Sequence, residues 1–210
     1  DGEMHQAFAA WNDTELDSYL IEITRDILAY KDVDGSPLVE HILDTAGQKG
    51  TGKWTATAAL DEGVPLTLIS EAVFSRCLSA MKDERVTAAA GFDRIIPPFT
   101  GDKELFVENI RQALYASKII SYAQGYTLMR TAAKTYGWNL NYGSIALMWR
   151  GGCIIRSIFL NDIAAAFEQA GKPQHLLLAP YFSNEMKQLL SGWKHLVAQA
   201  MKEELLVPAF

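Results

Sequence analysis

The sequence predicts an all-α fold, and three observations carry that reading. Apolar residues recur at helical spacing along nearly the whole 210-residue chain, and no stretch alternates as a half-buried strand would. The segment from Asp102 to Tyr136 keeps Phe106, Ile110, Leu114, Ile119, Ala123, Leu128 and Ala132 on one side almost without interruption. Glycine, proline and Asp-Gly punctuation divides the remainder into helix-sized pieces.

Taken in order, Leu16, Tyr19, Leu20, Ile23, Ile27 and Leu28 form an amphipathic helix that stops by Asp34-Gly35, with Pro37 beyond. Leu38, Val39, Ile42 and Leu43 make a helical stripe, predicting a second helix from near Pro37 to Gly47. Thr55 to Glu62 can form a short helix closed by Gly63. Pro65 suits the first turn of the next, which runs through Leu68, Ile69, Val73, Phe74 and Cys77 to about Arg85.

The stretch Gly91 to Gly101, with Pro97-Pro98, is the clearest loop and the expected seam between subdomains. The long helix from Asp102 has a thin polar side between Ala113 and Met129, so it belongs in a multihelical body or a subunit interface. Gly137-Trp138 ends it. Another apolar helix is expected from about Tyr142 to Phe159. Its internal Gly151-Gly152 would cost about 1 kcal/mol per glycine relative to alanine, which implies close approach of a neighbouring helix. Helices near Asp162 to Ala170 and Asn184 to Leu206 complete the reading.

Composition narrows the function classes. Nineteen Lys plus Arg against 25 Asp plus Glu leave a net charge of −6, which argues against nucleic-acid partners and anionic membranes. No apolar run approaches the roughly 20 residues needed to cross a bilayer, and Asp1-Gly2-Glu3 is unlike a signal peptide, so a cytoplasmic location is expected. Cys77 and Cys153 read as reduced core thiols without metal-ligand spacing. His5, His41, His175 and His195 are scattered, so no metal site is expected.

One run is built to hold an anion. Gly47-Gln48-Lys49-Gly50-Thr51-Gly52-Lys53-Trp54 places three glycines, two lysines and a threonine within eight residues. Glycines let backbone N–H groups approach a ligand, lysines bring charge, and a threonine hydroxyl adds a hydrogen bond. The run fits a nucleotide P-loop from Gly47 to Lys53, but Trp54 stands where a hydroxyl should bind magnesium, and a helical stripe rather than a buried strand precedes it. Against the reading of Lys49, Thr51 and Lys53 as merely solvated stands the glycine density, which a plain connector would not need. Arg76 sits on an otherwise apolar helical turn, which implies partial burial and a carboxylate or phosphate opposite its guanidinium.

The segment Asp44-Thr45-Ala46-Gly47-Gln48-Lys49-Gly50-Thr51-Gly52-Lys53-Trp54-Thr55 resembles the signature of decarboxylating 6-phosphogluconate dehydrogenases. So do Gly63-Val64-Pro65-Leu66-Thr67-Leu68-Ile69, Lys82-Asp83-Glu84-Arg85, the stretch from Tyr115-Ala116-Ser117-Lys118 to Tyr122-Ala123-Gln124-Gly125, and Ala146-Leu147-Met148-Trp149-Arg150-Gly151-Gly152-Cys153-Ile154-Ile155-Arg156. These blocks extend from about Trp11 to Pro208. The resemblance implies NADP-dependent oxidation of 6-phosphogluconate at its 3-hydroxyl, then loss of carbon dioxide to give ribulose 5-phosphate in the pentose phosphate pathway. It also implies a homodimer and a helical domain built around long antiparallel helices. By motif alignment the substrate-binding residues fall on Lys49, Thr51 and Arg76, with the substrate phosphate as principal target.

The sequence also departs from the family pattern. No Gly-x-Gly-x-x-Gly turn is present: Thr55 stands where the third glycine would follow Gly50 and Gly52. The family's general-base lysine and proton-donating glutamate lie upstream of anything resembling Asp1, and the tail that enters the partner's site would begin near Phe210. Residues 1–210 are therefore expected to be the helical substrate-binding and dimerisation domain, truncated at both ends and without the family's Rossmann domain. No catalytic or cofactor-binding residue is assigned, and the chain alone is expected to be inactive. The competing readings are a dimerisation scaffold without a ligand site and a phosphate-binding helical module outside the pentose phosphate pathway.

Overall fold

The computed structural model describes residues 2–92, 98–168 and 173–210. Among them are nine α-helices and two 3-10 turns, and the only β pairings are isolated bridges, Ser18 with Ser157 and Lys31 with Pro37. The all-α expectation holds. The chain divides into two compact units, Asp1–Leu43 with Asn139–Phe182, and Asp44–Trp138 with Ser183–Phe210. The seams thus fall near Asp44, Asn139 and Ser183, not in the Gly91 to Gly101 stretch, of which residues 93–97 lie outside the described residues.

In the first unit, α1 (Gly2–Asn12) and α2 (Tyr19–Ala29) pack as a pair, and the Ser18 hydroxyl caps α2 by accepting the Ile21 N–H at 3.3 Å. The helices α7 (Tyr142–Met148) and α8 (Phe159–Glu168) form a second pair. Gly143 permits their approach: a Cβ there would sit 3.4 Å from the Ala164 carbonyl oxygen. Leu16, Phe159, Leu160, Ile163 and Phe182 are fully buried in this unit, with the Phe159 and Phe182 rings edge to face at 5.3 Å.

The helix predicted from Tyr142 to Phe159 stops at Met148, and non-helical chain leads from α7 to α8. The turn between them places Gly152 at φ 64, the left-handed region that a helix interior excludes. A Cβ on Gly151 or Gly152 would meet nothing within 4 Å, so these glycines serve the turn and not a helix contact. That turn is tied to the start of α2: the Tyr19 N–H donates to the Arg156 carbonyl at 3.1 Å, and the Ser157 hydroxyl donates to the Asp17 carbonyl at 2.8 Å. The Arg156 guanidinium also pairs with Glu22 and lies 5.3 Å from the centre of the Tyr19 ring.

The second unit contains α3 (Thr51–Asp61), α4 (Thr67–Ala80), α5 (Lys82–Ala89), α6 (Lys103–Tyr136) and all but the first residues of α9 (Pro180–Lys202). The long α6 is 34 residues, capped by the Asp102 carboxylate on the Leu105 N–H at 3.0 Å and closed by Gly137 in the left-handed conformation. Gly192 of α9 faces Asn109 and Gln112, while a cleft of about 250 Å³ joins Asp102 and Phe106 to His195 and Lys202. Residues advance along α6 as they recede along α9, so the two run antiparallel. The middle of α6 is buried within the chain, as Ala113, Tyr115, Ala116 and Ile119 show, so its apolar character is no argument for association.

Other expectations need correction. The stripe at Leu38, Val39, Ile42 and Leu43 yields only a 3-10 turn, Leu38–His41, with Ile42 and Leu43 exposed. A stripe so short does not meet the cost of helix nucleation without a surface to cover it. The helix placed at Thr55 starts at Thr51, because Gly50 at φ 100 turns the chain into it. The helix predicted through Arg85 breaks at Met81, whose ψ of 47 is not helical. Cys77 is exposed and Cys153 half-buried, so neither is a core thiol. The final turn of the helix predicted to end at Ala170 lies outside the described residues.

Candidate functional site

The segment Asp44 to Gln48 has no regular structure and is tied residue by residue to the end of α4. The Ser79 hydroxyl accepts the Ala46 N–H at 3.0 Å, and the Thr45 hydroxyl donates to the Ser79 carbonyl at 3.2 Å. One turn earlier, Arg76 donates from Nε to the Gly47 carbonyl at 2.6 Å and also from Nη2 to the same oxygen. The Gln48 amide reaches the Cys77 sulfur at 3.6 Å. At the other end, Arg85 donates from Nη2 to the carbonyls of Asp44 at 3.2 Å and Ser79 at 3.0 Å. The Asp44 carboxylate lies 3.4 Å from Lys82 Nζ and 3.6 Å from Arg85 Nη1. The break at Met81 leaves the Ser79 carbonyl without a continuing helical partner, so it can accept Thr45 and Arg85.

Beyond this strap the chain enters α3 through Gly50, which makes no side-chain cap, so the N-cap residue leaves the first N–H groups of the helix uncapped. Lys49 and Thr51 flank that glycine and, like Lys53, are exposed. An uncapped helix start carrying partial positive charge, with two lysines and a hydroxyl around it, is suited to an anion. Gly52 brings α3 against α4: a Cβ there would lie 2.7 Å from a methyl of Val73. At the far end of the pair, α6 supplies the missing cap of α4, with the Gln124 side chain accepting the Leu68 N–H at 3.1 Å and donating to the Thr67 hydroxyl at 2.9 Å. Ala59, Val64, Leu66 and Leu128 bury the small core beneath.

The structure thus brings Arg76 onto the same loop as Lys49 and Thr51 through Gly47. Arg76 is exposed rather than half-buried, and two of its guanidinium nitrogens donate to the Gly47 backbone carbonyl. Among the described residues no strand precedes the loop, which removes the setting a nucleotide P-loop requires.

Residues 1–210 match the family described as 6-phosphogluconate dehydrogenase, C-terminal domain. The chain belongs to that family. It is 56% identical over 206 residues to the decarboxylating 6-phosphogluconate dehydrogenase of Haemophilus ducreyi, covering 98% of this chain and 43% of that protein. It is 55% identical over 212 residues to the human protein of the same name, covering 99% of this chain and 43% of the human one. In fold it is similar to Plasmodium falciparum 6-phosphogluconate dehydrogenase, with a TM-score of 0.94 at 41% identity over 98% of this chain and 45% of that one. That structure is described in its apo form, with its cofactor NADP+ and with its substrate 6-phosphogluconate. The chain therefore spans less than half the length of these relatives.

Within this 6-phosphogluconate dehydrogenase domain, reasoning from sequence missed Ser79 and Arg85 as the residues that hold the loop. A helix break at Met81 was the signal to look for, but Met81 has no breaker chemistry, and the block Lys82-Asp83-Glu84-Arg85 pointed to the family and not to a contact. It also missed a grouping of Asp32, Asp34 and His41, whose potential ligand atoms lie within 4.8 Å of one another. The Ser36 hydroxyl links Asp34 to His41, and its bonds to Asp34 hold that carboxyl below its ordinary range. Turn chemistry accounts for that arrangement.

Proposed function

We propose that this chain is the substrate-phosphate-binding and dimer-forming helical domain of a longer, NADP-dependent 6-phosphogluconate dehydrogenase of the cytoplasm. That enzyme oxidises 6-phosphogluconate at its 3-hydroxyl and releases carbon dioxide to leave ribulose 5-phosphate. The observation that carries the reading is the grip of Arg76 on the Gly47 carbonyl, which fixes the loop bearing Lys49 and Thr51 at the open start of α3. The Lys49 ammonium, the Thr51 hydroxyl and the remaining guanidinium N–H groups of Arg76 then offer charge and donors to one phosphate.

NADP, when bound, supplies the hydride acceptor. The residues of this loop do not fit it: Thr55, where a third glycine would be needed, spends its hydroxyl on the Thr51 carbonyl at 2.8 Å, and no strand precedes the turn among the described residues. No hydride or proton transfer is assigned to this chain. Exposed apolar side chains on the same helices, Trp54, Phe74 and Leu78, support a homodimer.

Titration calorimetry of the 210-residue chain with 6-phosphogluconate tests the reading, with NADPH formation followed in parallel. Binding is expected and NADPH formation is not. Lys49→Ala or Arg76→Ala should weaken binding by about tenfold or more, since a hydrogen bond to a charged group is worth about 1.5–3 kcal/mol. Binding that is absent, or indifferent to both substitutions, would leave a dimerisation scaffold without a ligand site.

A further inference from the structure

We propose that Ser79 and Arg85 are positioning residues for the anion-holding loop, acting on substrate affinity without touching the substrate. The inference rests on the reading of Lys49, Thr51 and Arg76 as the substrate-phosphate site. No large apolar side chain anchors the strap: Ile42 and Leu43 are 64% and 66% exposed, Asp44, Thr45, Gly47, Gln48 and Lys49 are exposed as well, and only the small Ala46 is half-buried. Its course is set by polar contacts, and those at its start converge on two side chains. Ser79 uses its hydroxyl for Ala46 and its backbone carbonyl for Thr45. Arg85 ties the Asp44 carbonyl to that same Ser79 carbonyl with one nitrogen.

An exposed hydrogen bond contributes little more than the entropy lost in ordering a residue, so a strap held this way is close to balance. Removing one tie lowers the fraction of molecules with Lys49 and Thr51 in place, and apparent affinity falls with that fraction. Arg76 holds Gly47 downstream of these ties, so the losses expected at Ser79 and Arg85 are smaller than that expected at Arg76.

The test is 6-phosphogluconate titration of the chain carrying Ser79→Ala, Ser79→Thr or Arg85→Gln, with melting temperature and Ala46 amide exchange measured on each. Ser79→Ala and Arg85→Gln should each raise Kd by about fivefold, the equivalent of one net hydrogen bond. Their melting temperatures should stay unchanged. Ser79→Thr keeps the hydroxyl and should restore both the affinity and the slow Ala46 exchange. If Lys49→Ala abolishes binding while Ser79→Ala and Arg85→Gln leave it intact, the positioning role is overturned and the site reading stands. Equal losses in Ser79→Ala and Ser79→Thr would also overturn it, as would a loss that follows the melting temperature. If Lys49→Ala itself changes nothing, the site reading falls and takes this inference with it.

Discussion

The middle of α6 and the strap in front of α3 belong to the same compact unit, yet opposite physics holds each in place. Ala113, Tyr115, Ala116 and Ile119 have no exposed surface at all, whereas Lys49, Thr51 and Arg76 are all exposed. The helix stands because water is excluded from it; the strap stands because carbonyls, hydroxyls and guanidinium groups are matched one to one. Burial is strong and indifferent to exact partners, so it fixes a fold across many substitutions. Matched polar contacts are weak singly and exacting in geometry, which suits a surface that must stay open to an anion.

The largest effect should come from cutting into the buried side of this contrast. Ile119→Ala on α6 is expected to cost about 2–5 kcal/mol, the range for truncating a large buried aliphatic side chain, read from the midpoint of denaturant unfolding. Leu60→Ala on α3, where the side chain is 82% exposed, should stay within about 0.5 kcal/mol in the same assay. Comparable costs at the two positions would break the comparison and show that the α3 face is covered in solution.

A smaller and more local effect is expected where the two regimes meet. Gly52→Ala would place a methyl 2.7 Å from a Val73 methyl, and Val73 is β-branched and stiff, so α3 must shift away from α4. Overpacking of this kind costs about 1–3 kcal/mol, offset in part by the roughly 1 kcal/mol that alanine gains over glycine in a helix. A net loss of about 1 kcal/mol is expected, and Val73→Ala in the same chain should abolish it. A loss that persists in the double variant would mean that Gly52 serves the backbone of the loop and not helix packing.

The same contrast explains what the sequence disclosed. Asp102 to Tyr136 was legible as one long helix because its burial repeats with the helical period and its ends carry recognisable caps, Asp102 and Gly137. The glycine run announced anion chemistry through residue types alone, and Lys49 and Thr51 do flank the open start of α3. The break at Met81 and the grip of Ser79 and Arg85 on the strap were not legible. They join residues more than 30 positions apart through backbone carbonyls and an amide, which carry no side-chain signature. Arg76 was found by its odd setting, but its bond to the Gly47 carbonyl was not legible, because a carbonyl can be supplied by any residue. The helix over Leu38 to Gly47 failed for a related reason: its apolar stripe is genuine, but nothing buries it.

The smallest expected effect sharpens the comparison within α6 itself, because its half-buried first third also carries matched polar contacts. Glu108 accepts Arg111 Nε at 2.8 Å, Arg111 Nη2 at 2.6 Å and the Gln112 amide at 2.8 Å. The Arg111 hydrogen bonds, with a lesser contribution from Gln112, hold its carboxyl below the ordinary range against a modest opposing desolvation. A carboxyl depressed in the folded state stabilises that state above the unfolded value of about 4.3, and the contribution drains away as pH falls through the lower folded value. The side chains are 42% and 22% exposed, so solvent screening keeps the contribution to about 0.2–1 kcal/mol. Glu108→Gln should therefore lower stability slightly at pH 7, lose that difference as pH drops below about 4, and lose most of it in about 1 M salt. A difference that survives both acid and salt would show that Glu108 acts through packing, and α6 would then be governed by burial along its entire length.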